Sequence, residues 1–279
     1  MGLWGMRDFT YRIYRDLIGV LKECNYTFQT FETFTGDPSI SSVVLRHDVD
    51  KSPENALYFS RIENSFSIKG SYHFRAGIAR KYPEYLREIS ALGHEIAYHY
   101  EDLSRLSRDR TYSDRLLISA MESFRENLSF LRQFYPVKVI SMHGDPLSGI
   151  DNRHLWKHFS YREEGIICEP YLDIDYTRVL YLTDTGRRWN GSKFNLRDKI
   201  MKESGQITND TLRNAINHLR TTEDLIELIK NGLLPELLII NTHPQRWNDN
   251  ILPWTVEFIL QNLKNPVKYF LRTIRADNE

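Results

Sequence analysis

The sequence predicts an α/β fold in which parallel strands are wrapped by helices. Two observations carry that expectation: short apolar runs alternate with amphipathic helical stretches along most of the chain, and those runs repeatedly end in Asp or His. No Pro/Gly/Ser-rich linker, low-complexity tract or internal repeat interrupts the rhythm. A barrel of this kind carries its chemistry at the carboxyl ends of the strands.

Each element has a local reason. Residues 7–23 predict an amphipathic helix, with Phe9, Ile13, Leu17 and Leu21 at helical spacing. The run VVLRHDVD, Val43 to Asp50, predicts a strand that delivers a polar tip. If the backbone stays extended past Arg46, Asp48 and Asp50 share one face and His47 takes the other. Residues 53–67 predict a helix ending near Gly70, SYHFR a short strand, Glu84 to Leu92 a helix stopped by Gly93, and HEIAYH the next strand. A long helix from about Ser113 to Phe134 leads, after Pro136, into the strand VKVISM and the turn HGDP. Beyond it, Gly165 to Cys168 and Arg178 to Leu182 are apolar enough for strands, and Leu233 to Asn241 is a strong one with Pro235 at its start. Residues 186–221 are polar and predict a long excursion with one short helix. From Pro253 the chain turns helical again, and Pro266 is expected to split that stretch into two helices.

Composition narrows the function classes. Lys plus Arg and Asp plus Glu are both 37 in 279 residues, so the net charge is zero and nothing electrostatic favours nucleic acid or a polyanionic surface. Cys24 and Cys168 make a disulfide framework an unattractive reading and fit a reducing compartment. The N-terminus carries charges where a secretory apolar core should be. The expectation is therefore a cytoplasmic protein without signal peptide or membrane span.

The polar groups at the strand exits form the candidate site. Asp48 and Asp50 follow one strand, His99 another, His143 and Asp145 the next, Asp184 a later one, and His243 the last. Two carboxylates on one strand face can share a metal, whereas an isolated DVD would as readily be a solvated turn with Asp50 capping the helix from Pro53. His94, which falls on the opposite strand face from His99, and His154, His158 and His218 are read as structural.

These residues carry a family resemblance. HDVD, followed after two more strands by GHEIAYH, resembles the first two motifs of polysaccharide deacetylases, the family 4 carbohydrate esterases, which remove N- or O-acetyl groups from sugars. THP at Thr242 to Pro244 resembles the family's last motif. The phrases GHEIAYHYEDL, MHGDP, TDTGRRW and HPQRW are similar to those of a divergent branch found in surface-polysaccharide and O-antigen gene clusters. The resemblance implies one catalytic domain over residues 1–279, a distorted (β/α) barrel of about seven parallel strands. The helices at about 7–23 and 253–275 would pack on it. It also implies a divalent metal, most often Zn²⁺. Carried over by position, Asp48 matches the catalytic base, Asp50 and His99 metal ligands, and His243 the catalytic acid.

The chain also departs from the pattern. The fourth residue after His99 is Leu103, where the family has a second histidine, so one ligand is missing from its usual place. Either Glu101 or Asp102 replaces it locally, or His143 reaches across from the neighbouring strand. His143 is preferred, because consecutive parallel strands are adjacent and open to the same end. The usual arginine-proline motif is replaced by MHGDP.

The function that follows is hydrolysis of an acylated amino sugar, nucleotide- or lipid-linked, in surface-polysaccharide assembly. Asp184 or Arg187 would tune the acid and base, and Arg46, Arg75, Arg187 and Arg188 would either contact an anionic substrate group or pair within the barrel loops. Glu101 and Trp189 complete the candidate substrate contacts. Two other readings stand beside it: a metal-free carbohydrate-binding barrel with Trp189, Trp247 and Tyr100 as stacking surfaces, and a metal-dependent hydrolase of another amide.

Overall fold

The computed structural model describes residues 7–107, 111–144, 149–189 and 210–276. Its framework is a seven-stranded sheet with every pairing parallel. The strands are β1 (Thr27–Gln29), β2 (Ser42–Val49), β3 (Ser71–Phe74), β4 (Glu95–Tyr100), β5 (Ile140–Met142), β6 (Leu180–Thr183) and β7 (Leu237–Thr242). Their order is β5-β4-β3-β2-β7-β6, with β1 pairing the first half of β2 beside β3. Parallel neighbours need crossovers, and helices supply them. In chain order these are α1 (Tyr11–Glu23), α2 (Phe31–Gly36), α3 (Pro53–Ser65), α4 (Ala76–Lys81), α5 (Pro83–Ala91), α6 (Asp102–Leu106), α7 (Asp114–Leu131), α8 (Pro170–Asp173), α9 (Asp210–His218), α10 (Thr222–Lys230) and α11 (Ile251–Ala276).

The alternation of side chains along the strands sorts them into two cores. Val43, Leu45 and Val49 of β2 join the larger cluster under the helices, with Leu17, Phe59, Tyr72, Tyr98 and Leu182. Val44 points the other way, into a smaller cluster with Ala97, Val139, Tyr181 and Ile239. That second cluster unites residues of β2, β4, β6 and β7 with Val139, the residue before β5, so the two ends of the sheet order share one interior: the sheet is curled into a half-barrel. Phe31 and Phe34 of α2 plug its lower end.

Several boundaries differ from expectation for local reasons. The first helix starts at Tyr11, not at residue 7, because Thr10 caps it by accepting from the Ile13 amide. Phe9 lies outside the helix in a left-handed conformation and packs on Trp189 and Trp247. The predicted strand at Gly165–Cys168 is reduced to one bridge between Val139 and Cys168. The strand expected from Leu233 begins at Leu237, two residues past Pro235. α4 and α6, each of five or six residues, were too short to show a period. Pro266 does not split the last helix, which runs unbroken from Ile251 to Ala276. Pro266 and Asn262, the residue whose carbonyl loses its donor, are both exposed. Of the 186–221 excursion, residues 190–209 lie outside the described residues, and α9 is its short helix.

Candidate active site

The register of the sheet stacks polar side chains above the apolar plug. β2 pairs with β3 through Asp48 and His73, and with β7 through Arg46 and Asn241, which sets Asp48 level with His73 and one step above Asn241. β4 aligns His99 with Ser141 of β5. Asp50, His143, Asp184 and His243 each fall within a residue or so of a strand's carboxyl end. The inward period of two therefore delivers all of them to one mouth.

Asp50, His99 and His143 converge. Asp50 Oδ1 lies 3.7 Å from His99 Nε2 and 3.5 Å from His143 Nε2, and one donor atom from each residue fits within 4.8 Å of the others. Buried Asp50 Oδ1 nevertheless accepts no hydrogen bond. His99 Nδ1 donates to the Ser141 carbonyl at 2.9 Å, which fixes the tautomer and leaves the Nε2 lone pair facing the carboxylate. Burial pulls the His99 imidazole down to about 4, so it is neutral across the physiological range. His143 Nδ1 stands 3.2 Å from Glu101 Oε2, an ion-pair distance. Burial works to lower its pKa, but Glu101 and Asp50 outweigh it and raise the group.

A carboxylate oxygen and two imidazole nitrogens are a donor set suited to a divalent metal such as Zn²⁺, and the orphaned buried Oδ1 is the feature that such an ion would satisfy. Glu101 itself is engaged elsewhere. Arg75 donates to it in bidentate fashion at 2.7–3.1 Å, and Arg105 adds a contact at 3.3 Å. Against the upward push of burial, His143 and Arg75 hold Glu101 at about 2. Asp102 turns outward to Tyr98, Ser123 and Asn127. Of the three candidates for the missing ligand, His143 is the one the fold brings to Asp50 and His99.

Asp48 occupies the space between this trio and His243. Its Oδ2 is 3.9 Å from His99 Nε2 and 3.9 Å from His243 Nε2. Arg46, fully buried, grips both oxygens at 2.8 and 3.1 Å, and Asn241 Nδ2 donates at 3.0 Å. Burial pushes the Asp48 carboxyl up, but Arg46 and the surrounding histidines hold it well below the usual carboxylate range. It is an ionised acceptor at any working pH.

His243 is held from the far side. Asp184 takes its Nδ1 at 2.6 Å and its backbone amide at 2.9 Å, which turns Nε2 toward Asp48. Arg246 and the Trp247 indole donate to Asp184 at 2.6 and 2.8 Å. Burial opposes ionisation of Asp184, yet Arg246 and His243 bring it to about 2.

Other sequence-predicted contacts fall elsewhere. Trp189 is fully buried, bonded to Thr222 and packed on Phe9 and Trp247, so it is core and not a substrate platform. Trp247 and Tyr100, the other proposed stacking surfaces, are fully buried too; Tyr100 faces outward, donating to Glu169. Arg187 lies at one remove from the site: its guanidinium sits over Trp254 and Phe9, where burial lowers it to about 10, and it donates to the Arg246 carbonyl at 3.1 Å. Arg46 and Arg75 pair internally, and only Arg188 is exposed. Asp145 lies outside the described residues. Sequence reasoning gave no role to His73, Asn241, Gln245 or Arg246. Asn241 could have been found, since it stands two residues before His243 on the same strand face. The contact of Gln245 Nε2 with Asp50 at 3.5 Å depends on the turn after β7, which has no sequence period.

No family model matches the chain, and no curated protein matches it. Among solved structures it is similar to the Bacillus subtilis peptidoglycan deacetylase PdaC, at 15% identity over 83% of this chain and 98% of that one, with a TM-score of 0.36. It is also similar to Bacillus subtilis PdaA, a family 4 carbohydrate esterase, at 10% identity over 94% of this chain and 90% of that one, TM-score 0.35. A third similar structure is a mutant of a CE4 family pseudoenzyme, at 11% identity over 74% of this chain and 67% of that one, TM-score 0.40.

Proposed function

We propose that this chain is a metal-dependent hydrolase that removes an acetyl or similar acyl group from an amino sugar during surface-polysaccharide or O-antigen biosynthesis. The observation that carries the reading is the placement of Asp48 Oδ2 between two differently prepared histidines, 3.9 Å from each. On one side stands a donor set for a cation, and on the other an imidazole oriented by a buried carboxylate. The acylated-sugar substrate comes from the resemblance of HDVD, GHEIAYH and THP to the deacetylase motifs.

Asp50, His99 and His143 would hold the ion, with Zn²⁺ the best match to one oxygen and two nitrogens. Bound there, such an ion supplies a Lewis acid that polarises a carbonyl and brings the pKa of water to about 7. The chain's own groups do the rest. Asp48, fixed in its ionised form by Arg46 and Asn241, accepts the proton of the attacking water. His243, with Nδ1 committed to Asp184, presents Nε2 to the same space and delivers a proton to the departing amine. Asp184 holds the ring in that orientation through its Nδ1 and the His243 amide.

The test uses the purified full chain loaded with Zn²⁺ and a panel of N-acetylated amino sugars, free, nucleotide-linked and lipid-linked, with acetate release as the readout. Release by wild type, abolished in Asp50→Ala together with stoichiometric metal, is the expected result. Full metal occupancy with no acetate from any member would remove the acetyl-sugar assignment, and equal metal content in both proteins would remove the ligand assignment.

A further inference from the structure

Two imidazoles lie together outside the candidate active site. The segment HLWKH, residues 154–158, spaces its histidines four residues apart, a spacing at which a helix can offer both rings to one ion. The support here is a 3₁₀ helix, Asn152–Lys157, and His158 is the residue just past its end. There His158 Nε2 lies 3.4 Å from His154 Nε2, with ring centroids 5.2 Å apart. Two imidazole nitrogens bound to one tetrahedral ion at about 2.0–2.1 Å stand about 3.4 Å from each other. The pair already has the separation that such an ion requires.

One ring and the support beneath both are fixed before any ion arrives. Tyr112 stacks on His154 with centroids 3.8 Å apart and planes at 24°, and its hydroxyl accepts from the Asp151 amide at 3.2 Å. Asn152 and Leu155 are buried. Asn152 Oδ1 accepts from the Ser104 amide at 2.9 Å, and its Nδ2 donates to the Ser104 hydroxyl at 3.1 Å and to the His143 carbonyl at 3.0 Å. Trp156 sets its edge against Tyr100 and Phe124. Held in this way, the helix has little order left to gain when a ligand binds. His158 is exposed, so water can fill the other positions around an ion. Burial, Lys157 and His158 lower the His154 imidazole from its usual value, which keeps the ring neutral and able to act as a ligand near pH 7.

The donors select the ion. Imidazole suits Zn²⁺, Ni²⁺ and Cu²⁺, whereas Mg²⁺ and Ca²⁺ take oxygen. Asp151 commits both its oxygens to Arg153 at 2.7–3.2 Å. Between the two histidines stand only Leu155, Trp156 and Lys157, so the segment brings no carboxylate base to the ion. We propose that His154 and His158 form a divalent transition-metal site separate from Asp50, His99 and His143. The inference goes beyond the proposed hydrolysis, and its test reads metal and not turnover.

The experiment is equilibrium dialysis of the full chain against a rising series of Zn²⁺, with bound metal counted by elemental analysis. Wild type, Asp50→Ala, His158→Ala and the variant carrying both substitutions are compared. Wild type is expected to take two ions, each single variant one, and the double variant none. His158 is exposed, so its replacement should leave thermal unfolding of the metal-free chain unchanged. In Asp50→Ala, the imidazole NMR signals of His154 and His158 should shift together with the first equivalent of Zn²⁺, and excess Mg²⁺ should not reverse the shift. Equal zinc in wild type and His158→Ala, or no shift at either ring, would overturn the proposal and leave the 3.4 Å contact as a hydrogen bond between the two rings. Asp50→Ala keeping both ions while His158→Ala loses one would sustain the pair and remove the ligand assignment at the strand ends, so the two readings fail separately.

Discussion

β2 feeds two buried polar clusters from its two faces, and they are built differently. On the outer face His47 Nε2 meets Glu63 Oε1 at 2.6 Å, Tyr14 donates to the same oxygen at 2.5 Å, and Tyr72 donates to Oε2 at 2.8 Å. His94 closes the cluster, accepting from the Gly70 amide and reaching the Ser60 carbonyl with its other nitrogen. Both oxygens of Glu63 are satisfied. A Cβ at Gly70 would come 2.5 Å from Glu63 Oε2, so the backbone itself is fitted to the carboxylate. On the inner face Asp50 Oδ1 is buried without a hydrogen bond, and two imidazole nitrogens face it at distances too long to be bonds. A closed network ties α1, β2, α3 and β3 together. An open one, in the same fold and three residues along from His47, is where the ion is proposed to bind.

Three substitutions sharpen that contrast, and the largest effect belongs to the inner cluster. Asp48→Asn keeps the size and a hydrogen-bonding group but removes the base, and turnover should fall by about 10²–10⁴-fold with metal still bound. Steady-state acetate release and metal analysis check it; loss of metal would make Asp48 a ligand. Next comes stability. Glu63→Ala leaves His47 and two tyrosines without their buried partner and should cost about 3–5 kcal/mol in denaturant unfolding. Metal-free Asp50→Ala should change by only about 0.5 kcal/mol, because its Oδ1 makes no bond to lose. Equal losses in the two would erase the distinction between closed and open clusters.

The smallest effect is a pH dependence. Burial works to raise the Glu63 carboxyl, but His47, His94 and Tyr14 leave it lowered from 4.5. A folded-state value below the unfolded one contributes stability that is present above the unfolded pKa and lost as pH falls through the folded one. The advantage of wild type over Glu63→Gln should therefore be constant above about pH 5 and shrink below about pH 4.5. Unfolding curves from pH 7 to pH 3 test this, and an advantage that grew on acidification would contradict the ionised Glu63.

Much of the architecture was written in local periodicity. Period two in VVLRHDVD places Asp48 and Asp50 inward and His47 outward whatever surrounds the strand, because successive side chains on an extended backbone must alternate. The βα rhythm likewise fixes parallel pairing, since only a crossover long enough for a helix can return the chain to the same end. What periodicity does not encode is how far the sheet curls and which turns close its mouth. Those decide that His143, and not Glu101, meets Asp50 and His99, because Glu101 is claimed by Arg75 from the adjacent strand end. They also bury Trp189 and Arg187 against Phe9, contacts across well over half the length of the chain that no local pattern registers. The sequence could say that the chain from Pro253 is helical. Only packing decided that its polar face meets the barrel, through Gln261 and Asn265, and that its apolar face is left to the outside.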